Sequence, residues 1–249
     1  MANQRPWKES GAASGVVACV LFALSLLAFL RTDPSGDTPY PSIENAQNAP
    51  AYLAANLSSY RITILLTTLG LLMFLWFVGS LWSTLVQAEG DPSRGSTLVV
   101  IGAVLGSGMI LVSCAMSYTA GLSTSPAQAE DVPTLYTAAA VAFAMGGAGI
   151  CLFLFAVGKV VLRTGALGRW IGWLSLLAGL AASVAVIAPF WESGPLNPAT
   201  GVFGRWLWWG VFVLWLLAVS INLTTRERKD QSDRVDESIS DGTVMEVNI

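Results

Sequence analysis

The sequence predicts an all-α protein, an integral membrane bundle of six transmembrane helices. Three observations lead to this fold class. Only 12% of the 249 residues are charged, whereas soluble domains average about 25%. The mean hydropathy is +0.61. The apolar residues also fall into six separate runs. Each run can form one span, because about 20 apolar helical residues cross the roughly 30 Å hydrocarbon core of a bilayer.

All six runs lack a charged residue at their centre. A charge there costs about 2.5–3.5 kcal/mol on insertion scales, so runs without a central charge indicate membrane insertion. The first run could instead be a signal peptide. However, Ala28-Phe29-Leu30-Arg31 is a poor cleavage site, and we predict a retained span. The runs are Gly15–Leu30, Ile62–Leu85, Thr97–Tyr118, Tyr136–Val161, Trp170–Phe190 and Trp206–Leu223.

The Lys and Arg residues predict the orientation of the bundle. If the N-terminus lies inside, ten of the 13 basic residues lie inside, and only Arg31, Arg61 and Arg205 lie outside. Basic residues accumulate on the cytoplasmic side of membrane proteins. We therefore predict that both termini are cytoplasmic.

These spans divide the chain into three parts. We predict a cytoplasmic N-terminus, a six-helix transmembrane domain that includes one long outer loop, and a disordered, charged cytoplasmic tail. The boundaries are 1–14, 15–223 (with the outer loop at 31–59) and 224–249. The inner loops near Gly90 and Gly165 are short, so spans two and three form one hairpin, and spans four and five form another. Within the outer loop, Ala51–Tyr60 is predicted to be a short helix leading into the second span.

Small residues recur at four-residue spacing in several spans. Such stripes let helix backbones approach closely, which is how helices associate in lipid. We interpret them as tight packing, either within one bundle or between subunits. They include Gly11, Gly15, Cys19 and Ala23 in the first span, Gly102 and Gly106 in the third, Ala138, Ala142 and Gly146 in the fourth, and Gly172, Ser175, Gly179 and Ser183 in the fifth.

A search for catalytic chemistry finds little. The chain contains no His, and its three Cys lie far apart in apolar runs, so no metal-ligand spacing is present. There is no phosphate-binding glycine loop and no nucleophile motif. No Asp or Glu lies within a predicted span, which argues against a proton-driven pump. We therefore predict no catalytic, cofactor-binding or metal-binding residue, and the net charge of −3 gives no indication of a nucleic-acid partner.

Three charged residues at the predicted outer face are candidates for ligand binding. Arg61 opens the second span, Glu192 follows the fifth, and Arg205 precedes the sixth. For Arg61, the alternative is an interfacial side chain that extends to the headgroups. The neighbouring aromatic residues are interpreted structurally. Trp206, Trp208 and Trp209 are expected to form an interfacial anchor, and Trp215 to be a bulky packing residue.

The end of the second span carries a polar stripe. A helix from about Tyr60 to Glu89 would be roughly 45 Å long at 1.5 Å per residue, which exceeds the hydrocarbon thickness. We predict that Gly90 ends this helix in a left-handed conformation and that Asp91 caps the next helix. The stripe residues are then expected to face the third span or the headgroups and to bind no substrate. They are Ser80, Ser83 and Gln87.

Four short motifs carry a resemblance to a known family. They are Phe77-Val78-Gly79-Ser80-Leu81, Ala88-Glu89-Gly90, the stretch 162–173 and Ser193-Gly194-Pro195. Together they resemble a group of actinobacterial six-helix membrane proteins of unknown function. The resemblance extends from about residue 45 to residue 224. This chain has Trp82, Val86 and Gln87 where basic residues are common in that group. The resemblance implies a bacterial plasma membrane and no particular activity.

Taken together, the residues favour an integral membrane protein without catalytic activity, acting as a binding, accessory or scaffold component of a membrane complex. The alternative is a small-molecule transporter or channel with an uncharged pathway. The expected partners are the lipid bilayer and either another protein or a second copy, bound through the small-residue faces. No cofactor and no nucleic acid are expected, and the sequence identifies no small-molecule ligand.

Overall fold

The computed structural model describes residues 5–31, 40–124 and 129–240, and every regular element in these ranges is helical. A 3-10 turn precedes α2, another follows α5, and a π-helical segment leads into α6. The long helices are α1 (Arg5–Leu30), α2 (Ala49–Glu89), α3 (Arg94–Leu122), α4 (Val132–Thr164), α5 (Arg169–Ile187) and α6 (Trp208–Ser240). The short elements are Ala46–Asn48, Ala188–Phe190 and Val202–Leu207.

The six-span prediction is confirmed, because each predicted run lies inside a helix long and apolar enough to cross a membrane. In the part of the chain that the structure describes, these segments are Ala13–Leu30, Ala46–Glu89, Arg94–Leu122, Val132–Thr164, Arg169–Phe190 and Val202–Arg226. The predicted short helix at Ala51–Tyr60 is continuous with the second span. The merged helix is kinked at Asn56, inside the predicted short helix, where φ and ψ are −115° and 15°.

The helices form a closed ring in which each packs on its neighbours in the chain. α6 closes the ring by packing on both α1 and α5, and α2 also touches α4 across the interior. We call the end of the bundle that carries residues 40–55 and 190–205 the loop end. The opposite end carries the short α2–α3 and α4–α5 turns.

The small-residue stripes of α3 and α4 pack against each other inside the bundle. A Cβ built on Gly102 would lie 2.5 Å from the Phe153 backbone nitrogen, and one on Gly106 would lie 3.0 Å from the Gly146 carbonyl oxygen. A Cβ on Gly149 would lie 2.5 Å from the Gly106 Cα. The two backbones are therefore in direct contact, and these glycines serve packing within one chain.

Aromatic side chains fill the middle of the ring. The Phe74 ring lies 5.4 Å from that of Phe153 and 5.2 Å from that of Phe212, in edge-to-face geometry. Trp215 is 1% exposed, and its indole N–H donates to the Ser175 hydroxyl at 2.7 Å. The interpretation of Trp215 as a packing residue is confirmed. Edge-to-face rings and a satisfied indole make this interior dense.

The turn between α2 and α3 differs from the sequence prediction in its capping residue. Gly90 ends α2 with φ +72° and ψ −166°, so its φ is positive as expected, but it lies outside the left-handed helical region. Asp91 does not cap α3, because that helix begins at Arg94. Glu89 does so instead: its carboxylate accepts from the Gly95 N–H at 2.9 Å, the Ser96 N–H at 2.8 Å and the Ser96 hydroxyl at 2.7 Å. A carboxylate at a helix N-terminus also interacts favourably with the helix dipole.

The polar stripe of α2 has a different neighbour from the one predicted. A Cβ built on Gly11 would run into the Ser80 side chain, so Ser80 faces α1 and not α3. Ser83 donates to the Ser80 carbonyl of its own helix at 2.8 Å, and Gln87 is exposed. The stripe therefore serves helix packing and the helix end.

The last helix extends past the predicted end of the sixth span. α6 continues to Ser240, into the stretch 224–249 for which a disordered tail is predicted. No Pro or Gly occurs between Gly210 and Gly242, so nothing in the sequence stops a helix that the last span has already nucleated. Residues 241–249 lie outside the described residues.

Candidate functional site

The structure separates the three candidate residues at the loop end. Arg61 is exposed on α2, and the Glu192 side chain is exposed in the loop after α5. Arg205 lies in the π-helical segment before α6 and is largely enclosed by aromatic side chains. No hydrogen bond or ion pair joins Arg61 or Glu192 to Arg205 within the described ranges. Of the three, Arg205 is the one placed in a structured site.

A folded loop holds Arg205 in place. Asn197 is fully buried, and its side-chain oxygen accepts from the Ala199 N–H at 2.8 Å and the Thr200 N–H at 3.0 Å. The Gly201 N–H donates to the Asn197 carbonyl at 2.8 Å, and the Arg205 N–H donates to the Gly201 carbonyl at 3.0 Å. A buried side-chain amide that satisfies several backbone groups makes a loop rigid. This loop, residues 191–201, is called the Asn197 loop. It fixes the backbone from which Arg205 projects.

Two glycines allow this loop to pack so closely on the start of the last span. A Cβ on Gly201 would lie 2.5 Å from the Pro195 carbonyl oxygen, and one on Gly204 would lie 2.6 Å from the Asn197 carbonyl oxygen. Both positions lack the space for a larger residue. The turn-forming residues of the stretch 191–205 are visible in the sequence, but their role in positioning Arg205 depends on this backbone contact.

Four aromatic rings surround the Arg205 guanidinium. Its central carbon lies 4.9 Å from the ring centroid of Phe143, 5.5 Å from those of Phe29 and Tyr40, and 5.6 Å from that of Trp206. Each distance falls within the range of a cation–π interaction, about 6 Å. The rings come from α1, α4, the segment before α2 and the π-helical segment before α6, so only the folded bundle assembles them.

The interpretation of the three tryptophans as an interfacial anchor is wrong for Trp208, whereas Trp206 and Trp209 are half-buried. Trp208 is fully buried, and its indole N–H donates to the Gly204 carbonyl at 3.0 Å. Trp206 packs on Phe29 with ring centroids 5.1 Å apart, and Trp209 packs edge-to-face on Phe22 at 4.9 Å. These contacts place the three rings against neighbouring side chains of the bundle, which composition alone does not indicate.

Further polar neighbours of Arg205 are neutral. The tyrosines in electrostatic range are Tyr40, Tyr52, Tyr60 and Tyr136. Among the described residues, no carboxylate forms an ion pair with Arg205, and no oxygen accepts a hydrogen bond from its guanidinium. A charged side chain at membrane depth is normally paired and is a candidate for function by default.

A cavity of about 50 Å³ adjoins the guanidinium. Its walls combine Arg205 and aromatic rings with hydroxyl groups from α1 and α2. The Ser25 and Thr67 hydroxyl oxygens are hydrogen-bonded at 2.7 Å, and Ser25 also donates to the Thr63 carbonyl at 3.0 Å. Sequence reasoning missed Ser25, Thr63 and Thr67. The four-residue spacing of Thr63 and Thr67 places both hydroxyls on one helix face, which was the available signal.

Metal and thiol chemistry has little support in the described residues. No group of three His, Cys, Asp or Glu side chains there could hold a metal ion. Cys19, Cys114 and Cys151 lie in three different helices as free thiols.

Comparisons with known proteins add no relative. A scan against protein-family models, a search of curated proteins and a search of solved structures each found no match to this chain.

Proposed function

We propose that this multi-pass membrane protein is a non-catalytic binding or accessory component of a membrane complex, and that it resides in a bacterial plasma membrane with both termini in the cytoplasm. The observation that carries the proposal is the packed aromatic interior. The side chains of Phe74, Phe153, Phe212 and Trp215 are each less than 2% exposed and lie in mutual ring contact.

A packed interior favours a rigid role over transport. A solute crossing between the two ends would have to separate these rings, and interiors of this density resist such separation. The direct backbone contact of α3 and α4 adds stiffness on one side of the ring. The sequence supports the absence of catalysis, because the chain has no His and no carboxylate within a predicted span.

The test combines purification with reconstitution. The tagged protein is extracted from its native host in a mild detergent, and co-purifying proteins are quantified by mass spectrometry. One partner at a fixed molar ratio, retained after cross-linking at native expression levels, supports the proposal. In parallel, wild-type protein in liposomes should give no flux of ions or small neutral solutes above that of empty liposomes.

A second candidate is a small-molecule transporter or channel, and the cavity beside Arg205 favours it. This cavity could be the entrance of a pathway that opens by helix movement. The same liposome assay separates the candidates. Flux that wild-type protein supports and Thr67→Val reduces would favour transport and would overturn the accessory role.

A further inference from the structure

We propose that Arg205 and the adjoining cavity form a binding site for one singly charged oxyanion group, the carboxylate of a small acid or the phosphodiester of a lipid headgroup. This inference goes beyond the accessory role and stands whether or not a protein partner is found. It rests on three observations. No described residue pairs with the Arg205 guanidinium, the adjoining cavity is small and carries one positive charge, and hydroxyl groups line part of its wall.

The guanidinium is enclosed but incompletely satisfied by the described residues. An arginine carries five N–H donors in a planar fork that matches the two oxygens of a carboxylate or phosphate. The rings of Phe29, Tyr40, Phe143 and Trp206 offset part of the charge, but a ring face does not replace a directed N–H···O bond. Removing a charge from water is costly unless it is both paired and hydrogen-bonded. The remaining donors therefore favour an anionic acceptor.

The donors are accessible from the cavity. None of the Arg205 nitrogens is among the fully buried polar atoms that lack a partner, and Arg205 lines the cavity itself. Thus its N–H groups keep surface that a small ligand can reach. The Asn197 loop holds the backbone in position, so little ordering is required when a ligand binds.

Size and charge define the ligand class. One bound water requires roughly 10–15 Å³ of such a cavity. A volume of about 50 Å³ therefore admits one compact anionic group, and any larger part of the ligand must stay outside the cavity. Among the residues that the structure describes, Arg205 is the one cation that lines the cavity, so a dianion would keep an uncompensated charge in surroundings of low dielectric. A singly charged group fits both limits.

The hydroxyl groups add polarity but no free donor. Ser25 donates to the Thr63 carbonyl, and Thr63 donates to the Ser59 carbonyl at 2.9 Å. With the Ser25 hydrogen used, the 2.7 Å contact to Thr67 makes Thr67 the donor. Arg205 is therefore the group that binds the anion. The hydroxyl groups of the wall give the ligand a polar surface but donate no hydrogen bond to it.

The experiment uses full-length protein with two probes. In an uncharged detergent, the protein is titrated with acetate against chloride at equal ionic strength, and binding is followed by tryptophan fluorescence. In nanodiscs that contain phosphatidylglycerol, bound phospholipid per chain is counted by native mass spectrometry. We expect one site for at least one probe. Acetate binding would identify the ligand as a free acid, and retained phospholipid would identify it as a lipid headgroup.

The variants distinguish the site from general surface charge. Arg205→Gln should abolish binding, and Arg205→Lys should weaken it by about tenfold or more, because the lysine loses the bidentate geometry. Arg61→Gln is the matched control, an exposed arginine at the same end, and should bind as wild type does. Arg205→Lys keeps the charge and remains informative if Arg205→Gln fails to fold.

Two results would overturn the inference. Binding of neither probe by folded wild-type protein is the first, and equal binding by Arg205→Lys and wild type is the second. A further variant explains the first result. It changes Asp33 and Asp37, which precede Tyr40 in the sequence and lie outside the described residues. If wild type bound neither probe while Asp33→Asn/Asp37→Asn bound acetate, these carboxylates would be the native counter-ion of Arg205.

Discussion

Replacing Gly149 with alanine tests the backbone contact between α3 and α4. The added Cβ would lie 2.5 Å from the Gly106 Cα and 2.9 Å from the Leu105 carbonyl carbon. Carbon atoms at rest lie about 3.5–4.0 Å apart. The obstructing atoms belong to the backbone and not to the end of a flexible side chain. The two helices must therefore separate by about 1 Å or more to accommodate one methyl group.

A matched substitution isolates the cost of this separation. Gly108 lies on the exposed face of α3, and a Cβ there would meet nothing within 4 Å. Both substitutions gain the higher helix propensity of alanine, about 1 kcal/mol in a helix interior. That gain largely cancels when the variants are compared. Overpacking of a well-packed site costs about 1–3 kcal/mol, so Gly149→Ala should be less stable than Gly108→Ala by that amount.

The measurement is reversible unfolding in mixed micelles with increasing denaturing detergent, followed by tryptophan fluorescence. Gly108→Ala should match or exceed the wild-type free energy of unfolding, and Gly149→Ala should fall below it. Equal stability of the two variants would refute the argument, because it would mean that α3 and α4 are not in backbone contact.

Three further predictions follow from other contacts. Glu89→Gln should destabilise the protein by about 1–2 kcal/mol, because the carboxylate caps α3, whereas Asp91→Ala should leave the unfolding free energy unchanged. The Trp215→Phe variant should have a free energy of unfolding about 1 kcal/mol or more below that of wild type, because the buried Ser175 hydroxyl no longer accepts a hydrogen bond from an indole N–H. Reporter fusions at Glu44 and Ile249 should report opposite sides of the membrane, with the C-terminal fusion in the cytoplasm.

Each of these predictions has an outcome that contradicts it. Asp91→Ala as the more damaging of the two turn variants would restore the original capping assignment. Wild-type stability of Trp215→Phe in the same unfolding assay would show that the indole bond contributes nothing. Fusions at Glu44 and Ile249 on the same side would contradict the six-span topology, because that topology places five spans, an odd number, between these two residues.

The sequence by itself determined the six spans and the helical class. Membrane insertion depends on transfer free energies that add along about 20 consecutive residues, so the run Thr97–Tyr118 predicts a span without knowledge of its neighbours. Local turn chemistry was also accessible. Gly165 ends α4 in the left-handed conformation expected of a tight turn, with φ +72° and ψ 7°.

Only the tertiary structure decided what the helix faces and loop residues contact. Whether the stripe of Gly102 packs within the chain or between chains depends on the rotation of α3 relative to α4, which hydropathy does not encode. The same holds for the cap, since Glu89 reaches α3 only when the turn brings the helix ends together. Arg205 is the clearest case. Phe29 and Phe143 lie far from it in sequence and come within 5.5 Å and 4.9 Å only when α1, α4 and α6 pack around one cavity.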